Sequence, residues 1–230
     1  MQIVIDGRMI LSHMTGVGRY VLGLTEALAK LPGDARYELW LSSRLPAGHP
    51  AWKMGTERLD VRQLPLGHMD PRQQWKVPLE LRRRRPDLFH YPHFDLPWLT
   101  PGRIVATIHD LKYLAKPNFF SDFGRARRLI MLTMMRFTIR RADRIIAVSH
   151  CTRRDLIDRL GAAPEKIRVI PEGVEERFFR RTQTTELDQV RQRYGLNKPY
   201  LLCVAERRPH KNLPGLLHAF HRFRRAAPVP

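Results

Sequence analysis

A chain of 230 residues, 43% of them hydrophobic, carries apolar surface for one sizeable core and part of a second, which excludes a disordered polypeptide. Its formal charge of +19 attracts polyanions such as nucleic acid, anionic headgroups and phosphorylated substrates, although only eight of the 41 basic residues are lysine, a bias that codon usage also produces. Cys151 and Cys203 stand far apart with no zinc-type spacing, no apolar run nears the roughly 18 residues of a membrane span, and Gln2-Ile3-Val4-Ile5-Asp6 starts the chain without a secretory pattern, so neither a disulfide framework, a metal site, a spanning helix nor export is expected.

Short β-branched runs alternate with helix-length amphipathic stretches, the rhythm of a parallel sheet with helices on both faces. Gln2 to Asp6 is the first strand, and a loop from Gly7 to Thr15 leads into a helix whose Val17, Tyr20, Val21, Leu24, Leu28 and Leu31 keep three-and-four spacing up to Pro32-Gly33. Tyr37 to Leu41 and Leu59 to Leu64 are the next strands. The stretches 49–54 and 67–75, rich in Pro, Gly and polar residues, read as loops, and Arg82 to Arg85 reads as a solvated basic face. Strands follow at Asp87 to Tyr91 and Ile104 to Ile108, then a helix from Phe123 to Arg141 with arginines at both ends.

Arg144 to Val148 is a strand, with Ser149 opening a helix and Thr152 and Asp155 offering a competing capping pair. Ile167 to Ile170 is a strand before Pro171-Glu172-Gly173. Glu175 to Lys198 reads as a linker holding one helix; Tyr200 to Ala205 as a strand, Glu206 to Lys211 as a polar turn, and 212–225 as a helix.

Three places could carry chemistry. Gly16 and Gly18 open the first helix, where free N–H groups and the helix dipole favour an anion, but Val21 occupies the third glycine position of a dinucleotide fingerprint and no acidic residue ends the second strand; a merely tight loop is an equal reading. His109 and Asp110 follow a strand at its carboxyl end, where open α/β sheets bind ligands, so His109 could donate to a sugar hydroxyl or phosphate; a packed strand-end histidine is the plainer alternative. Arg207, Arg208, His210 and Lys211 crowd a turn before a helix capped by Asn212, suiting a diphosphate or simply water.

Six segments in order resemble the family 4 glycosyltransferases of GT-B architecture, retaining enzymes related to bacterial mannosyltransferases. They are 15–20 (TGVGRY), 89–97 (FHYPHFDLP), 107–111 (TIHDL), 142–149 (ADRIIAVS), 166–174 (KIRVIPEGV) and 208–213 (RPHKNL). The resemblance implies a nucleotide-sugar donor between two Rossmann-like domains, with Gly16 and Gly18 against its phosphates, His109 and Asp110 at the transferring sugar, and Lys211 with either Arg207 or Arg208 at the diphosphate. It implies no cofactor and no required metal.

The expected organisation is α/β: a Rossmann-like parallel-sheet domain at 1–174, a linker at 175–198, and the incomplete start of a donor-binding domain at 199–230. The Glu-x7-Glu segment and the base-binding loops of such enzymes fall beyond Pro230, so little autonomous transfer is expected. The expected partners are the nucleotide-sugar donor, a polysaccharide or lipid-linked acceptor and an anionic membrane surface met peripherally from the cytoplasm, with no specific nucleic acid. A non-catalytic binding module that keeps acceptor or membrane affinity is the alternative.

Overall fold

The computed structural model describes residues 1–13, 15–111, 114, 124–180 and 184–226. Met14 in the first loop, Phe123 at the expected helix start, residues 181–183 of the expected linker and 227–230 lie outside them. The chain divides into two units, Met1–Glu175 and Glu176–Pro230.

The first unit is built on seven parallel strands: β1 (Gln2–Asp6), β2 (Arg36–Ser42), β3 (Leu59–Leu64), β4 (Leu88–Tyr91), β5 (Ile104–Ile108), β6 (Arg144–Ala147) and β7 (Ile167–Val169). They lie in the order β3-β2-β1-β4-β5-β6-β7, so the direction of progression reverses between β1 and β4. There Ile3, Val4 and Ile5 of β1 pair with Leu88, Phe89 and His90 of β4.

Period-two alternation explains why the sheet is covered on both faces. Ile3 and Ile5 of β1 join Leu39, Leu41 and Val21 in one core cluster, while Val4 joins Trp40, Phe89, Ala106 and Ile145 in the other. Helix α1 (Gly16–Lys30) supplies Val21 to the first cluster; α2 (Gln73–Arg84), α3 (Arg125–Arg141) and α4 (His150–Leu160) supply Val77, Leu81, Met135, Ile139 and Leu156 to the second.

Local chemistry sets the helix ends. Thr15 caps α1 by accepting from the Gly18 N–H at 3.0 Å, and Leu31, the residue before Pro32, turns extended and stops it. At α4 the competing start is resolved in favour of Ser149, whose hydroxyl accepts from the Thr152 N–H at 3.0 Å, and Gly161 ends the helix at φ 66°.

Two expectations need correction. Helix α2 occupies Gln73–Arg84, taking in the end of the expected 67–75 loop and most of the arginine run. Its buried side is narrow, Gln73, Val77, Pro78 and Leu81, and an interior proline with three closing arginines masks the helical period.

The second correction concerns the second unit, which contains α5 (Thr184–Tyr194), a 3₁₀ turn at Pro209–Lys211 and α6 (Leu213–Ala226). Tyr200 to Ala205 forms no strand, and Leu201, Leu202 and Val204 are exposed. An apolar run becomes a strand only by pairing with a neighbour, and the second unit presents none among its described residues.

Candidate functional site

Parallel strands deliver all their carboxyl ends to one edge, and the residues just past those ends assemble a site there. His109 follows β5, Ser149 follows β6, and Glu172 comes after β7. The half-buried His109 ring lies 2.8 Å through Nδ1 from the Glu172 carboxylate, although 63 residues separate them. Its own carbonyl accepts from the Thr152 hydroxyl at 3.3 Å. The Tyr20 ring from the second turn of α1 meets it edge-on, centroids 4.8 Å apart. The Tyr20 hydroxyl is 3.0 Å from Thr107 Oγ1, which lies 2.8 Å from Nε2 of the buried His90.

Burial holds His109 below the usual imidazole value, against the hydrogen bond and charge of Glu172, which pull it up. The ring is therefore neutral at neutral pH. A carboxylate only accepts, so Nδ1 carries the proton and donates it to Glu172. Nε2 is then an acceptor, buried and without a hydrogen-bond partner among the described residues. In this tautomer Nε2 can accept from a donor such as a hydroxyl, whereas the donation expected of His109 would need the other tautomer or a protonated ring.

A cavity of about 270 Å³ sits at this edge, lined among others by His109, Asp110, Val17, His93, Met69 and Arg127. Asp110 is exposed at its rim. Val17 brings in the amino end of α1, whose first N–H groups have no intrahelical acceptor. The two glycines there differ in function. Gly18 is buried, with its N–H taken by Thr15, and a Cβ on it would stand 3.1 Å from the Met9 carbonyl oxygen; a Cβ on Gly16 would meet nothing within 4 Å. Gly18 therefore serves packing, and Gly16 leaves the helix end open. Arg19 ties the same helix to Glu175 at 3.1 Å across an exposed gap. A larger hollow, about 460 Å³, lies at the opposite ends of the strands, where Glu26 and Lys30 pair with one another at 2.7 Å.

Arg207, Arg208 and Lys211 lie in the second unit and are exposed there. Arg208 Nε is 3.4 Å from Glu206, and Asn212 caps α6 by accepting from the Gly215 N–H at 3.3 Å. The structure thus brings Val17, His109 and Asp110 around one cavity, while the three cations share one turn of a separate unit.

Sequence reasoning assigned no role to a buried polar cluster at the β1/β4 reversal. Asp95 is fully buried, accepting from the Tyr91 hydroxyl at 3.0 Å and from Gln73 Nε2 at 3.1 Å, with His93 Nδ1 at 2.5 Å. His68 Nε2 stands 3.7 Å from the same carboxylate and has no hydrogen-bond partner among the described residues. Burial alone would raise the Asp95 pKa, but the flanking imidazoles and donors hold it low and the group is ionised; burial pushes His68 down to about 4, so its ring is neutral. Beside them Arg8, also fully buried, forks onto Asp6 at 2.7 Å and donates to the Gly67 carbonyl at 3.2 Å. His93 and Asp95 fall in the segment 89–97 that carries the family resemblance, which was the one available signal; His68 sits in a loop with no motif.

Comparison with known proteins agrees with this architecture. The family described as Glycosyltransferase Family 4 matches residues 14–178. The serotype-specific mannosyltransferase WbdA of Escherichia coli is 28% identical over 137 residues, 56% of this chain; the chain spans 15% of the length of that relative. The crystal structure of HepE from Anabaena in complex with UDP superposes with a TM-score of 0.65 at 17% identity, covering 96% of this chain and 57% of that one. A glycosyltransferase from Rickettsia africae gives a TM-score of 0.56 at 15% identity, covering 86% and 51%. No helix among the described residues is long and apolar enough to cross a membrane.

Proposed function

The chain belongs to Glycosyltransferase Family 4, and from that premise we propose that it serves retaining transfer of a hexose, mannose first among candidates, from a nucleoside-diphosphate sugar to a polysaccharide or lipid-linked acceptor. The observation that carries this reading is His109 Nε2: buried, neutral, without a hydrogen-bond partner among the described residues and set in the cavity beside the amino end of α1. A buried acceptor without a partner costs about 1–3 kcal/mol unless a ligand satisfies it, and a sugar hydroxyl does so. The similarity to a mannosyltransferase and to a fold solved with UDP and with UDP-glucose supports the choice of donor.

In this reading residues 1–174 form the acceptor-side domain, 175–198 the linker and 199–230 the start of a donor-binding domain. Gly16 leaves room for the donor phosphates to approach the free N–H groups of α1, which complement negative charge through the helix dipole. His109 accepts from a hydroxyl of the transferring sugar and Asp110 borders the same space. Lys211, with Arg207 or Arg208, supplies cations to offset charge on the departing diphosphate, so that step uses no metal. As the bond from the anomeric carbon to the diphosphate breaks, the bond to the acceptor oxygen forms on the same face, and the acceptor proton leaves with the diphosphate.

The test is incubation of the protein carried on a complete donor-binding domain with GDP-mannose and UDP-glucose in turn, with lipid-linked and polysaccharide acceptors, following nucleoside-diphosphate release and the anomeric configuration of the product by NMR. Release coupled to an axial product from an axial donor is expected. An inverted product rejects retention, and no transfer from either donor rejects the assignment of a hexose donor.

A further inference from the structure

We propose that His68, His93 and Asp95 form a binding site for a divalent first-row cation of the zinc class, which clips the loop after β3 to the segment after β4. One ligand atom from each, two imidazole nitrogens and a carboxylate oxygen, lies within 4.8 Å of the others. Two histidines and a carboxylate match the borderline character of zinc rather than the all-oxygen preference of magnesium or calcium.

The geometry is close to that of an occupied site. Bond lengths of about 2.1 Å in a tetrahedral shell place ligand atoms about 3.4 Å apart. His68 Nε2 and Asp95 Oδ2 already stand 3.7 Å apart, and that His68 atom is buried and has no hydrogen-bond partner among the described residues. The His93 Nδ1 to Asp95 hydrogen bond opens by about 1 Å as the cation takes the place of its proton, which passes to Nε2 by exchange through solvent, so that the ligand is a neutral imidazole.

The surroundings are those of a supported ligand set. Tyr91 and Gln73 donate to Asp95 and orient its oxygens, as outer-shell partners of metal-bound carboxylates do. The nearby Arg8 guanidinium is forked onto Asp6 at 2.7 Å, so its charge is matched there and it does not occupy the Asp95 carboxylate. His93 also lines the cavity shared with His109, which places the site in its wall. This inference is independent of the donor-diphosphate step, to which it assigns no metal.

The test is spectroscopic and does not use activity. The chain is stripped with a chelator, titrated with Co²⁺ and then with Zn²⁺, and the visible d–d absorption of a low-coordinate cobalt centre is followed together with thermal unfolding. One equivalent of cobalt giving those bands, displaced by zinc, with an unfolding temperature raised by zinc, is expected. His68→Leu abolishes the bands while leaving the metal-free unfolding temperature unchanged or higher, since it removes an unpartnered polar atom. Tyr91→Phe keeps the ligands and lowers affinity about tenfold to a hundredfold. Absence of a one-equivalent site, or cobalt and zinc binding equally well to His68→Leu, overturns the proposal and assigns any binding to the other histidines.

Discussion

Substituting alanine for each glycine at the start of α1 separates a packing glycine from a clearance glycine. At Gly18 the new Cβ stands 3.1 Å from the Met9 carbonyl oxygen, 3.2 Å from Thr15 Oγ1 and 3.4 Å from Ile10 Cα. The backbone after β1 is held by the Arg8–Asp6 fork and cannot retreat freely, so the strain falls within the roughly 1–3 kcal/mol of overpacking. Better helix propensity returns roughly 0.5–1 kcal/mol, leaving a net loss of about 1 kcal/mol and an unfolding temperature lower by about 2–4 °C. At Gly16 a Cβ meets nothing and the backbone is not left-handed, so alanine stabilises by about 0.4–1 kcal/mol. Thermal unfolding of both variants by circular dichroism, beside titration with UDP and GDP, reads the two effects separately. Gly16→Ala is expected to be more stable and to bind nucleoside diphosphate more weakly, because its methyl group occupies the approach to the α1 N–H groups. A Gly18→Ala protein as stable as the parent, or a destabilised Gly16→Ala, refutes the reasoning.

In the protein carried on a complete donor-binding domain, His109→Ala is expected to slow transfer by about a hundredfold with less than about 1 kcal/mol of stability lost, since Glu172 is half exposed and rehydrates; normal turnover removes His109 from the reaction. The parent rate should hold at neutral pH and fall as acid protonates the ring, a limb that His109→Ala lacks when rate is followed against pH. In the same extended protein Lys211→Ala is expected to weaken nucleoside-diphosphate binding by about 1.5–3 kcal/mol, read by calorimetry, and unchanged affinity returns that turn to a solvated role. His90 is pushed from 6.5 down to about 4, first by burial and then by the charge of His109, so the unfolded chain takes up the proton before the folded one. The stability it contributes is complete above pH 6.5 and is lost as pH falls through about 4, roughly 3 kcal/mol in all; chemical denaturation across that window should show a slope that His90→Asn flattens.

Strand positions were legible because strands buried on both faces read as short β-branched runs: β1, β3 and β5 fall where expected, β2 is longer by a residue at each end, and β4, β6 and β7 are shorter by a residue at one end. Helix α2 was hidden because only one narrow side of it is buried and Pro78 breaks the pattern. Tyr200 to Ala205 shows the opposite error, since composition registers willingness to pair and says nothing about a partner. His109 was legible through its place after a strand. Its partner Glu172 was not, because the contact crosses β6 and depends on how far two separate loops reach. The group of His68, His93 and Asp95 belongs to the same class: no spacing within one segment announces it, because the reversal of strand order brings its loops together.

That reversal has a kinetic side. Within the sheet every pairing except one joins strands that follow each other along the chain, and the exception is β1 with β4, where Ile3 meets Leu88. The first unit is thus two locally wired half-sheets, β1–β2–β3 and β4–β5–β6–β7, joined along a single seam that carries the largest loop closure among its strand pairings. The loop-closure cost of the sheet is greatest at that seam, and the polar cluster of His93 and Asp95 with the Arg8–Asp6 pair lies at its end. Any ligand gripping residues on both sides of the seam therefore acts as a brake on unfolding, because the halves cannot part before it is released.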